Sequence, residues 1–155
     1  MRAFRVTRRK WASNRSGSGV PARWNLAGDS VIYTASSLAL ALLEILVHVS
    51  IEQIPDDYVW LKAEFSESFI QYPREIPADT AVFGSEWLHT RGGKVILAVP
   101  SVIVPEPNYL MNPDHMDFIN IAWGEPEPLQ IDPRLTRAEK IPSAWQQRAI
   151  GEISH

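Results

Sequence analysis

The segment Leu38 to Val49, LALALLEILVHV, constrains this chain more than any other stretch of it. Read as a helix it is apolar on every face, so protein or lipid must enclose it. Its twelve residues fall well short of the roughly 20 that a membrane-spanning helix needs. The expectation is therefore a helix buried on all sides within a folded domain. Glu44 and His48 interrupt it. A carboxylate moved out of water needs a cation, several hydrogen-bond donors or a raised pKa. Two readings stand side by side: a structural acid paired with a buried arginine, or a catalytic carboxylate lining a pocket. His48 lies four residues after Glu44 and shares its face. That is half of a metal site, but His89 and His115 lie on unrelated segments, so a buried, hydrogen-bonded His48 and no metal are expected.

The chain has room for the layers that such a helix requires. Its 155 residues suit one domain, since single cores serve about 100 to 200 residues. With 45% hydrophobic and 21% charged residues it resembles ordinary globular chains, and a core can form. The net charge of −3 lacks the positive field that sequence-independent nucleic-acid binding exploits, so DNA and RNA are not expected partners. Cysteine is absent, which excludes disulfides, a thiolate nucleophile and thiolate zinc ligands. No apolar stretch follows the basic N-terminus, MRAFRVTRRKW, as a signal peptide would require. A soluble, cytoplasmic protein is expected.

Local signals give an element order. Ala3 to Val6 reads as a strand, followed by a flexible polar loop from Ser13 to Gly19. Ser30 to Thr34 is β-branched and aromatic, a strand, after which Ser36 or Ser37 caps the apolar helix. Val59, Leu61, Ala63 and Phe65 alternate as in a half-buried strand. Asp79 caps a helix running through Trp87 and Leu88 and ended by Gly92 and Gly93, although Gly84 weakens it. Val95 to Val104 reads as a buried strand bent at Pro100 and Ser101. Asn112 and Pro113 open a short helix through Ile119, and Leu129 to Ile131 forms a final edge strand.

Three further residues carry possible chemistry, each beside an ordinary alternative. Arg23, in PARWNLAG, suits a pyrophosphate by its two-pronged geometry, or else stacks on Trp24 at the surface. Tyr33 offers a flat face to a ring, or packs as any strand residue. Ser101 is a hydroxyl in apolar surroundings, or a turn-stabilising side chain. No nucleophile elbow, Walker motif or dinucleotide glycine motif is present.

Taken together, ARWNLAG around Arg23, VIYTASSLALALLEILVH with Tyr33 and Glu44, SEWL at Ser85 to Leu88, VPSVIVPEPNYLMNPDH from Val99 to His115 and the closing IDPRL resemble the RES domain. This is the toxin half of RES–Xre toxin–antitoxin systems. The resemblance implies an α+β single domain, with an ADP-ribosyltransferase-like mixed β-sheet core and a few short helices. It places that domain at residues 1–135, with 136–155 as a tail with helical character. It also implies a growth-arresting enzyme that cleaves the nicotinamide–ribose bond of NAD by hydrolysis or phosphorolysis, or that ADP-ribosylates a protein. The alternative outside enzymes is a binding module built on a Glu44–Arg23 pair. Arg23, Tyr33, Glu44 and Ser101 match the family's active-site positions, with NAD as substrate and no metal. An Xre-type helix-turn-helix antitoxin and an oligomeric complex are the implied partners. Two departures stand out: Ala22 occupies a position that is often glycine, and the segment after Leu135 has no clear counterpart.

Overall fold

The computed structural model describes residues 1–50 and 53–135. Among these described residues eight strands form one mixed sheet: β1 (Arg2–Arg8), β2 (Ile32–Ala35), β3 (Tyr58–Glu64), β4 (Ile70–Gln71), β5 (Ile96–Pro100), β6 (Pro107–Met111), β7 (Ala122–Trp123) and β8 (Glu127–Pro128). Two helices, α1 (Leu38–Leu46) and α2 (Thr80–His89), join them. The strand order is β4-β5-β6-β2-β1-β3-β7, with β8 also paired to β3. Only β4 and β5 run parallel; the other pairs are antiparallel. The fold is thus α+β.

Register gives the sheet two unlike faces, because successive strand residues point to opposite sides. Tyr33 opposes Leu110, Ala35 opposes both Asn108 and Phe4, and Asn108 opposes Val99. All of these therefore share one face. The opposite face carries Ala3, Ile32, Ala63, Ile96, Ala98, Tyr109 and Met111, sealed by Phe65, Ile70, Phe118 and Ile121. On the first face α2 and Trp24 cover Leu97, Val99 and Leu110. Leu40 and Ala41 of α1 cover Ala35, Phe4 and Val6 beside them. Fully buried residues such as Leu97 and Leu110 (both 0% exposed) each contribute about 1.5–3 kcal/mol of burial. Neither helix covers the middle of that face, which is left as a cleft.

The local caps form as expected. Ser37 accepts a hydrogen bond from the Leu40 amide (3.1 Å), and Asp79 accepts one from the Val82 amide (3.0 Å). Gly84 belongs in α2 for a packing reason: a Cβ there would sit 1.8 Å from the Trp24 carbonyl oxygen. Backbone contact between helix and loop outweighs glycine's poor helix propensity.

Several expectations are corrected. The apolar helix ends at Leu46 and is buried along one side only, with Leu43 and Val47 exposed. It lies as a single layer on the sheet, so one face has a partner while another borders the cleft. His48, past its end, is exposed and not a buried histidine. The strand from Val95 stops at Pro100, and Val102 is 71% exposed. Strand β6 has no counterpart among the expected elements; Pro107 occupies its first position, where a missing N–H is tolerated. Asn112 caps a turn, accepting from the Asp114 amide (3.0 Å), and the helix proper is the 3-10 turn Met116–Asn120, capped by His115. The last strand is Glu127–Pro128, not Leu129 to Ile131. The loop before Arg23 is tied down, with the Gly28 amide donating to the Gly19 carbonyl (2.8 Å) and both glycines at positive φ. The expected helical character of 136–155 lies outside the described residues.

Candidate active site

The cleft has a volume of about 670 Å³, inside the range of small-molecule sites, roughly 300–1,000 Å³. Arg23, Tyr33, Glu44 and Ser101 all line it. They arrive from four places: a loop turn, the middle of β2, the third turn of α1 and the bend after β5.

Glu44 is half-buried, and its Oε1 accepts two hydrogen bonds, from Ser101 Oγ (2.9 Å) and from Asn108 Nδ2 (2.6 Å). Its Oε2 accepts none from the described residues and is not enclosed. No Lys, Arg or His nitrogen among the described residues lies within 4.0 Å of it. Among the described residues, therefore, no arginine pairs with Glu44 as a structural acid would require. Polar neutral donors hold one oxygen and leave the other without a hydrogen-bond partner among the described residues. Ser101 is itself fixed: its amide donates to the Glu106 carbonyl (3.0 Å), and its hydroxyl also accepts from the Ile103 amide (3.1 Å). The Glu106 carboxylate in turn accepts from Ser37 Oγ (3.0 Å), linking that bend to the start of α1.

A tight turn presents Arg23. Ala22 and Asn25 exchange backbone hydrogen bonds (3.2 and 3.4 Å), so the two residues between them sit at its apex. Trp24 plugs into the core, 3% exposed and edge-on to Phe83 at 6.4 Å. Arg23 is consequently turned outward, its guanidinium 5.8 Å from the Trp24 ring centroid. Arg23 thus both stacks on Trp24 and lines the cleft. Ala22, at the position that is often glycine in the family it resembles, sits here without a positive φ, so the turn accepts a side chain.

Asn25, which sequence reasoning passed over, joins this turn to the sheet. It is 2% exposed and donates to the Val20 and Leu26 carbonyls (2.9 and 3.0 Å). Its Oδ1 accepts from the Tyr33 hydroxyl at 2.6 Å. Burial, reinforced by the Asp29 carboxylate, pushes the Tyr33 phenol up to about 12. Tyr33 therefore stays a neutral donor at physiological pH, with its ring along the cleft. Asp29 supports the same loop. Burial raises its carboxyl, but hydrogen bonds from His89, Ser85 and the Leu26 amide outweigh that and hold it below the ordinary value.

Asn108 was likewise missed, as were Phe4 and Tyr58, which supply apolar wall at the far end of the cleft. No local pattern marks them; the register of β6, β1 and β3 brings them there. His48 stands at the rim. Among the described residues no three His, Asp or Glu side chains converge as metal ligands do, and no helix is long and apolar enough to cross a membrane. The cleft thus combines a fixed carboxylate, an outward arginine, a neutral phenol and apolar walls. Such a set suits a ligand bearing phosphate, sugar hydroxyls and flat rings, in which positive charge develops near the carboxylate.

Comparison with known proteins gives a concordant picture. The family model described as RES domain matches residues 2–132. The chain is 34% identical to a protein named Toxin Res from Yersinia enterocolitica, over 87% of this chain and 99% of that one. It is 34% identical to a Toxin Res from Photorhabdus laumondii, over 88% of this chain and 98% of that one. A Sphingobium protein named Prs ADP-ribosylating toxin is 33% identical, over 81% of this chain and 89% of its own length.

Proposed function

The chain belongs to the RES domain family, and on that premise we propose that it is a toxin enzyme that consumes NAD by breaking the bond between nicotinamide and ribose. The relatives named Toxin Res and Prs ADP-ribosylating toxin support this reading. The observation that carries it is the cleft shared by Arg23, Tyr33, Glu44 and Ser101, with one oxygen of Glu44 held and the other free.

In this reading Arg23 grips the pyrophosphate with parallel hydrogen bonds. The Tyr33 ring packs against nicotinamide or its ribose. When the C1′–N bond breaks, its electron pair returns to the ring nitrogen and neutralises the pyridinium, so the leaving group needs no proton. Positive charge then builds on the ribose, and the free Oε2 of Glu44 stabilises it. Ser101 keeps that carboxylate oriented. An acceptor completes the reaction by bonding to C1′: water or a protonated side chain then loses a proton to solvent, whereas phosphate attacks through an oxygen that is already ionised. Water makes this hydrolysis and inorganic phosphate makes it phosphorolysis. A protein side chain makes it ADP-ribosylation, a second reading favoured by the name of the Sphingobium relative. The proposed partner is an Xre-type antitoxin that occludes the cleft within a larger complex.

The test is incubation of purified protein with NAD in phosphate-free buffer, in phosphate, and with a cell extract, followed by mass analysis. Nicotinamide with free ADP-ribose, with its phosphorylated form, or with an ADP-ribose mass added to a protein identifies the acceptor. No nicotinamide under any of the three conditions rejects the proposal.

A further inference from the structure

We propose that Asn108 is the positioning residue for Glu44, kept at a cost to stability because its amide decides which carboxylate oxygen faces the cleft. The inference deepens the reading above and rests on it for the catalytic part of its test.

An ionised carboxylate only accepts hydrogen bonds, so the Asn108 group facing Glu44 at 2.6 Å is the NH2. The amide oxygen must then point the other way. There, Oδ1 is buried and without a hydrogen-bond partner among the described residues. An unmet buried acceptor disfavours the folded state, and a residue chosen for packing alone would be apolar. The cross-strand neighbours of Asn108, Val99 on one side and Ala35 on the other, are apolar. Asn108 thus sits in an apolar row, with half of its amide unsatisfied, where its other half meets Glu44.

Ser101 does not make Asn108 redundant. Its hydroxyl, held by the Ile103 amide, supplies one donor only. A single donor leaves the carboxylate free to swing about that bond. A second donor on the same oxygen, from a rigid planar amide on β6, removes that freedom. Oε2 then stays aimed at the cleft before any ligand arrives, which is the preorganisation that charge stabilisation requires.

The experiment compares the parent, Asn108→Ala and Asn108→Asp in three measurements. Without ligand, NMR scalar couplings should show one Glu44 side-chain conformation in the parent and averaging between conformers in Asn108→Ala. Thermal melting should be unchanged or higher in Asn108→Ala, since the orphaned acceptor is gone. With NAD, kcat should fall by about tenfold or more while KM stays within about threefold, the pattern of an interaction realised in the transition state. Asn108→Asp keeps the shape but sets a second carboxylate against Glu44, and should not restore kcat. A Glu44 side chain that stays fixed in Asn108→Ala, a kcat within about twofold of the parent, or a fall in Tm alongside the loss of activity overturns the proposal. If the parent itself releases no nicotinamide, the NAD reading fails, and the ligand-free conformation of Glu44 still decides the role of Asn108.

Discussion

Glu44 concentrates the chemistry of the cleft in two oxygens with different jobs. Oε1 takes the donors from Ser101 and Asn108, and Oε2 is left for a ligand. Glu44→Gln keeps an oxygen for both donors and removes the negative charge. With no arginine of the described residues against Glu44, the substitution strands no buried cation among them. Tm should therefore stay within a few degrees of the parent, while nicotinamide release falls by about 100-fold or more, the scale of losing one oriented electrostatic partner. Calorimetry and a nicotinamide assay on one preparation check both halves. Full activity at normal Tm would remove Glu44 from the mechanism. Tyr33 belongs to the same scale: its pKa near 12 keeps the phenol donating to Asn25 across the whole working pH range.

At the scale of elements, the site depends on how α2 holds the loop that carries Arg23. Thr80, the first residue of α2, donates its hydroxyl to the Arg23 carbonyl (2.6 Å), and Gly84 lies against the backbone of Trp24. In an ordinary helix Gly→Ala is stabilising, because alanine is the better helix former. Here the sign reverses. A Cβ placed 1.8 Å from a backbone carbonyl oxygen forces helix and loop apart. Gly84→Ala should lower stability by about 1–3 kcal/mol, as overpacking does, and should weaken NAD binding by displacing Arg23. Denaturant melts and titration calorimetry read the two effects. A variant more stable than the parent would show that the loop yields without cost. The glycine that weakened α2 on paper is thus explained by an element distant in sequence.

At the scale of the whole molecule, the cleft opens between α1 and the loop that carries Arg23 and Trp24, which lie over different parts of one sheet face. Among the described residues, aromatic and aliphatic side chains seal the opposite face of the sheet, so the cleft is open on this face. On the proposed reading the protein is toxic to its own cell, and that entrance is blocked where it is made. Induced expression alone should then arrest growth and lower cellular NAD, and co-expression of the proposed Xre-type antitoxin should restore both. The purified complex should release nicotinamide more slowly than the free toxin. Arrest with unchanged NAD would point to a protein target, and undiminished turnover in the complex would reject occlusion as the mode of control.

What the sequence determined by itself was local. The Ser37 and Asp79 caps, the alternation of Val59, Leu61 and Ala63, and the presence of α1 and α2 depend on residues within one or two turns of each other. The family motifs likewise picked out Arg23, Tyr33, Glu44 and Ser101, and the structure lines one cleft with all four. Tertiary structure alone decided the rest. Glu44 meets Ser101 57 positions away and Asn108 64 positions away. Those contacts exist because β6, hidden among prolines, pairs with both β2 and β5 in one register. A shift of that register by one residue would turn Asn108 to the sealed face. The burial of α1 was settled in the same way: an apolar surface states what a helix can bury, and only the layers present around it settle how much of that surface is covered.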